Sequence, residues 1–387
     1  MKRAFQILVS DEVLRDLTRR LTHTRWLNPP NHSKWAYGTN LPYLMELVAY
    51  WRDGFNWREQ ERELNRFAHF QTAIDAYDLH FIHQRGKGPG CIPLLLLHGW
   101  PDSFYRFHKI LPMLTDPDAA DIDAGVAFDV VVPSLPGFGW TKSPAEIEAD
   151  QPLRQYASLL RRLMKEVLGY DRFVVAGGDG GSVLAQIMAI DDPGSVAAIY
   201  LTDLGWNRMN IDPGPLPHAE KRYLEESKKL FMKESAYVMV QSTKPQTLAY
   251  PLNDSPTGLA AWVLDRFYFW CDCRGDLEKS FSRDELLTNL TIYWVTQTIA
   301  SSMRMYRLDM KSPSLAAKDY VAVPVGLGLF PKDIGGIPPR EFAGRTLNVQ
   351  HWTEMPGGGH FTAWEEPELM ASDLFAFFRT IDLPVRG

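Results

Sequence analysis

Short apolar runs separated by amphipathic stretches dominate much of the chain: 79–83, 92–97, 128–132, 173–176, 197–201, 320–329 and 346–350. Each run has the length and β-branched or aromatic content of a buried strand, and the intervals suit helices. The pattern therefore predicts a mainly parallel, doubly wound α/β sheet. Charge-rich helical patterns at 11–25 and 57–67, broken by Asn28-Pro29-Pro30-Asn31, predict a helical N-terminal extension. The alternation lapses between about residues 205 and 313. Helical pattern and aromatic residues there, among them Tyr223, Tyr250, Trp270, Tyr293 and Trp294, predict an inserted helical lid. It would lie over the sheet's C-terminal edge, where open α/β sheets bind ligands and where a lid excludes water. The expected boundaries are 1–85 for the extension, 86–204 and 314–387 for the core, and 205–313 for the lid.

The run 173–176 passes through Gly177-Gly178-Asp179-Gly180-Gly181 into Ser182-Val183-Leu184-Ala185-Gln186-Ile187-Met188, whose apolar positions recur at helical spacing. A strand that turns this sharply into a helix needs glycine where atoms crowd and dihedrals are unusual, so the motif presents Asp179 at its apex. Serine is the familiar residue at such an elbow. An aspartate is already ionised at neutral pH and needs no base before it attacks a saturated carbon.

Charge and composition narrow the partners. With 41 Lys and Arg against 47 Asp and Glu, the net charge of −6 opposes nucleic acid or an anionic membrane surface and favours a small ligand. No apolar stretch approaches the roughly 20 residues that span a bilayer, and no signal-peptide core follows the first residues. The three cysteines, Cys91, Cys271 and Cys273, cannot make a disulfide framework, which fits a reducing cytoplasm. No group of Cys, His, Asp or Glu has metal spacing, no cofactor is called for, and Gly137-Phe138-Gly139 lacks the third glycine of a dinucleotide fingerprint. Gly-x-Ser-x-Gly is absent.

The elbow needs a base and an acid. His360 stands in Pro356-Gly357-Gly358-Gly359-His360-Phe361 after the last strand, the last place in the chain order nucleophile, acid, histidine. Asp333, at the end of Val325-Gly326-Leu327-Gly328-Leu329-Phe330-Pro331-Lys332-Asp333, is placed to orient it, although spacing alone leaves Glu341 and Glu354 open. His98-Gly99-Trp100-Pro101 caps an apolar strand, so the backbone N–H groups of Trp100 and Gly180 form the expected oxyanion hole. His98 reads as structural, and Asp102 and Ser103 as a helix N-cap.

Taken together these motifs resemble the α/β-hydrolase-fold epoxide hydrolases, specifically the microsomal type and its soluble bacterial and fungal relatives. The resemblance spans nearly the whole chain. It includes Trp57-Arg58-Glu59-Gln60, Leu79-His80-Phe81-Ile82-His83, the His98 loop and the Asp179 elbow. It continues through Thr243-Lys244-Pro245, Leu252-Asn253-Asp254-Ser255-Pro256, Tyr293-Trp294, Phe330-Pro331-Lys332-Asp333 and Gly358-Gly359-His360-Phe361. It implies an epoxide substrate, a vicinal diol product, an ester intermediate on Asp179, and two lid tyrosines that hold the epoxide oxygen. The matching positions are Tyr237 and Tyr306; six tyrosines lie in 205–313, and pattern alone does not choose between them. A lid-mediated homodimer is implied by analogy only, and the microsomal members' membrane anchor has no counterpart here.

Gly180 departs from the resemblance, because the family commonly places a bulky residue, often tryptophan, after the nucleophile. Its loss changes the wall beside Asp179 and opens the question of pocket size. Two other readings share the elbow. A haloalkane dehalogenase would need N–H donors for halide, and Gly180 removes the obvious one. A non-catalytic receptor on the same scaffold could dispense with triad members, yet Asp179, Asp333 and His360 are all present.

Overall fold

The computed structural model describes residues 1–28, 30, 34–88, 90–144, 150–205, 207–208, 216–316 and 318–382. Nine strands form one sheet: β1 Arg3–Ala4, β2 His69–Ile74, β3 Tyr77–Gln84, β4 Ile92–Leu97, β5 Phe128–Pro133, β6 Phe173–Gly177, β7 Val196–Leu201, β8 Val321–Leu329 and β9 Leu347–Glu354. Their order is β1-β2-β3-β5-β4-β6-β7-β8-β9. From β5 across to β9 the pairs are parallel, and from β1 to β5 they are antiparallel. Strands β4, β5, β6 and β7 are buried along their whole length, as expected of parallel strands covered by helices on both faces.

Each apolar run proposed as a strand is one, with ends shifted by a few residues. The segment before β4 is a correction, since it is helical only in part. Asp11–Thr22, Leu41–Asp53 and Trp57–Leu64 are helices, with Ser10, Asn40 and Asn56 side chains accepting first-turn N–H bonds. Strands β1 and β2 then extend the sheet antiparallel to β3. Polar residues hide β2 in the sequence: His69-Phe70-Gln71-Thr72 has no clean alternation, because His69, Gln71 and Thr72 are buried and hydrogen-bonded.

Between β7 and β8 the chain makes six α-helices among the described residues: His218–Glu234, Ala236–Thr243, Pro245–Asp254, Pro256–Trp270, Arg283–Thr296 and Ile299–Lys311. Residues 206 and 209–215, at the start of the expected lid, lie outside the described residues. No helix among the described residues is long and apolar enough to cross a membrane.

Parallel strands put their C-terminal ends on one edge. On that edge Trp100 follows β4, Asp179 follows β6, Asp333 follows β8 and His360 follows β9. The order reverses around β4, which pairs with both β5 and β6, so the crevice of a topological switch point opens there.

Candidate active site

Strand β6 ends at Gly177, and the helix Gly180–Asp191 begins three residues later, with Asp179 between them. Asp179 itself carries the unusual backbone, φ 56° and ψ −127°, whereas the glycines beside it supply room. A Cβ on Gly181 would lie 2.1 Å from the Leu97 carbonyl oxygen of β4, so any larger residue would force the elbow away from the sheet. Such a dihedral in a non-glycine residue costs on the order of 1–3 kcal/mol and persists only where its surroundings fix it. Here the Asp179 N–H donates to Asp203 Oδ2 at 2.7 Å, and the Ser182 hydroxyl donates to the same oxygen at 3.0 Å.

The Asp179 carboxylate is addressed from two sides. Its Oδ1 accepts from the Trp100 backbone N–H at 3.0 Å, and its Oδ2 lies 3.4 Å from His360 Nε2. The other ring nitrogen, Nδ1, is 3.0 Å from Asp333 Oδ1. Burial disfavours a charged imidazole, but Asp333 and Asp179 on either side outweigh it and push His360 up to about 10. The two flanking carboxyl groups thus favour the protonated imidazole in the resting site. Gly180 opens the elbow helix, where an N–H has no acceptor inside the helix.

Tyr237, on Ala236–Thr243, and Tyr306, on Ile299–Lys311, meet at this point, their rings 5.9 Å apart and nearly perpendicular. Tyr237 stacks on the Trp100 indole at 5.4 Å and Tyr306 meets it edge-on at 6.0 Å. Burial, followed by the Asp179 charge, pushes Tyr237 above the ordinary phenol range; burial, then Tyr237 and Asp179, does the same to Tyr306. Both stay protonated and available as donors. A cavity of about 1000 Å³ reaches Asp179, Gly180, Tyr237, Tyr306, Asp333 and His360. Its outer part carries the exposed side chains of Met232, Met239 and Met310, flexible apolar groups suited to ligands of varied shape.

Asp179, Gly180, Tyr237, Tyr306, Asp333 and His360 thus all line one cavity, and Asp333, rather than Glu341 or Glu354, is the carboxylate at His360 Nδ1; the Trp100 side chain is buried and contributes its backbone N–H. One expectation is made specific and one needs correction. Beside Gly180 the wall is Met305, from another helix, whose Cε stands 3.3 Å from where a Cβ would be, and both residues line the cavity. Asp102 is no helix cap: it is fully buried, pairs with Arg106 Nη1 and accepts the Gly99 N–H, while Ser103 alone caps the short turn Phe104–Phe107. His98 commits both ring nitrogens, to the Gly99 carbonyl and the Leu135 N–H.

Arg106 and Asp203 escaped the sequence reading. Asp203 sits just beyond β7, and that position relative to a strand end was the available signal. Arg106, which is fully buried, donates to the His360 carbonyl as well as to Asp102. Replacing it with methionine removes the guanidinium paired with the buried Asp102 carboxylate and leaves it the Gly99 N–H. The Arg106→Met variant should lose about 3–5 kcal/mol of stability in denaturant melts; an unchanged midpoint would contradict the pairing.

Sheet topology, aspartate elbow and histidine-carboxylate pair define an α/β-hydrolase-fold protein with an aspartate in the nucleophile position. Residues 2–107 match the family described as the epoxide hydrolase N terminus, and residues 92–261 that of the alpha/beta hydrolase fold. Epoxide hydrolase 1 of Sus scrofa is 36% identical over 410 residues, covering 98% of this chain and 89% of that protein. Juvenile hormone epoxide hydrolase 1 of Ctenocephalides felis is 33% identical, covering 96% and 84%. Among solved structures, juvenile hormone epoxide hydrolase from the silkworm Bombyx mori superimposes with a TM-score of 0.86 at 26% identity, covering 97% and 93%. Aspergillus niger epoxide hydrolase gives 0.84 at 28% identity, covering 99% and 97%. The chain belongs to the epoxide hydrolase family, and its reaction is the hydrolysis of an epoxide.

Proposed function

We propose that epoxide opening proceeds through a covalent ester on Asp179, with Tyr237 and Tyr306 as acids, Asp333 orienting His360, and the Trp100 and Gly180 amides as oxyanion donors. The observation that carries this reading is the placement of one carboxylate between an N–H donor and a histidine, at the end of a cavity that two protonated tyrosines line. An Asp179 oxygen attacks a ring carbon, the carbon–oxygen bond breaks, and a tyrosine proton passes to the departing oxygen. Products of this step are a β-hydroxy ester and a tyrosinate.

Ester formation removes the Asp179 charge. His360 then keeps only Asp333, so its affinity for a proton falls and the proton can return to the tyrosinate. Neutral His360 takes a proton from water, whose oxygen attacks the ester carbonyl carbon. The Trp100 and Gly180 N–H groups receive the oxyanion. Collapse expels the diol oxygen, which takes the proton from His360, and the Asp179 carboxylic acid reprotonates the imidazole to restore the starting pair.

A pH dependence follows. Since the alkyl-enzyme lacks one of the two carboxylates that raise His360 to about 10 in the resting site, ester hydrolysis should accelerate with pH through a transition well below 10. Single-turnover pH jumps on preformed ester test this. A limb centred at the resting value would mean that Asp179 had not been neutralised.

We further infer that residues 205–313 act as a lid and that the enzyme works in a reducing cytoplasm. Helices from this segment supply both tyrosines, and Cys91, Cys271 and Cys273 are all free thiols.

A further inference from the structure

The loop that carries His360 is held along its backbone in an unusual way. Four consecutive N–H groups have assigned acceptors: Gly358 to Asp272 Oδ2 at 3.4 Å, Gly359 to Glu365 Oε2 at 3.1 Å, His360 to the Trp270 carbonyl at 2.8 Å, and Phe361 to Glu365 Oε1 at 2.9 Å. Glu365 Oε2 also takes the Asp272 N–H at 2.7 Å. One carboxylate therefore ties the histidine loop to the end of Pro256–Trp270, a helix of the segment between β7 and β8. The approach is close. A Cβ on Gly359 would stand 2.6 Å from the Trp270 carbonyl oxygen and 2.8 Å from Asp272 N, so the two strands of chain touch with no side chain between them.

Burial pushes the Glu365 carboxyl up to about 7, and the backbone donors of Asp272, Phe361 and Gly359 work against that, together with the His360 charge. No salt bridge to Glu365 occurs among the described residues. The half-buried Glu365 carboxyl gathers its three hydrogen bonds from backbone N–H groups, two of them on the residues flanking His360.

We infer that Glu365 is a positioning residue for the second half-reaction: it sets the distance of His360 Nε2 from the ester, and so governs hydrolysis rather than ring opening. It is not among the cavity-lining residues, and its hydrogen bonds go to backbone N–H groups and not to the imidazole. Ring opening depends on Asp179, fixed by its own elbow and by Asp203, and on the two tyrosines; none of them bonds to Glu365. Ester hydrolysis depends on a water held between Nε2 and the carbonyl carbon. A shift of about 1 Å in a reacting group costs about 100-fold in rate. In Glu365→Gln one of the two oxygens becomes an NH₂ facing backbone N–H donors, so the loop must move.

This inference rests on the ester reading, and the test separates the two. Rapid mixing of an aryl epoxide with excess enzyme, followed by tryptophan fluorescence and by intact-protein mass, reads ester formation and decay separately. Trp100 and Trp270 lie beside the site and provide the signal. In Glu365→Gln, ester formation should stay within about threefold of the parent while decay slows about 100-fold, and the adduct should accumulate. Glu365→Asp keeps the charge but is one methylene short; it should slow decay by about tenfold, in the same step only, and it serves where the glutamine variant does not fold. Equal slowing of both steps, or normal decay in either folded variant, would overturn the positioning role. No adduct in the parent or in either folded variant, together with ¹⁸O from labelled water entering the diol and not the Asp179 peptide in a first turnover, would overturn the ester reading itself, and this inference with it.

Discussion

Replacing His360 with glutamine should leave an enzyme that opens one equivalent of epoxide and then stops. The first half-reaction requires an ionised Asp179 and the tyrosine donors, which the substitution leaves in place. It also removes the imidazolium 3.4 Å from Asp179 Oδ2, so the nucleophile loses a partner that competes for its lone pairs. The second half-reaction loses its base entirely. Steady-state turnover should fall about 10⁴-fold or more, while intact-mass spectrometry shows the protein heavier by one substrate. An equally inactive variant with no adduct would place His360 in the first step instead.

The two tyrosines should show the second large effect. Each alone leaves one hydroxyl aimed at the departing oxygen, so Tyr237→Phe and Tyr306→Phe should each slow ring opening by about 10²-fold. Loss of both leaves the alkoxide with neither proton nor hydrogen bond in a buried site, and the double variant should fall by about 10⁴-fold or more. Ester decay, measured on whatever adduct forms, should change little. Residual ring opening in the double variant close to either single variant would mean that a third group donates. Because Tyr237 stacks on Trp100 and lies beneath the Arg266 guanidinium at 5.4 Å, phenylalanine keeps the packing of the ring and removes only the hydroxyl.

The fold was legible where burial is complete and obscure where polar groups are buried. β4 to β7 read as uninterrupted apolar runs because both faces are covered, whereas β2 carries His69, Gln71 and Thr72 into the interior on hydrogen bonds that no local pattern announces. The elbow, His360 and Asp333 were legible because strand ends and glycines mark them. The tyrosine pair came from resemblance alone, since two helices far apart in sequence bring it together. Asp203 and Arg106 act through backbone groups of Asp179 and His360, and contact of that kind leaves no motif. Gly180 announced a changed wall but not its neighbour there, Met305, which comes from a helix more than a hundred positions later.

The central claim is that Asp179 bonds covalently to the substrate. A single turnover in ¹⁸O-labelled water, with enzyme in excess over epoxide, tests it most directly. The ester route predicts an unlabelled diol and one ¹⁸O in the peptide that contains Asp179, because water attacks the carboxyl carbon and the diol carries away an original carboxylate oxygen. Label in the diol of that first turnover, with none in the peptide, would contradict it.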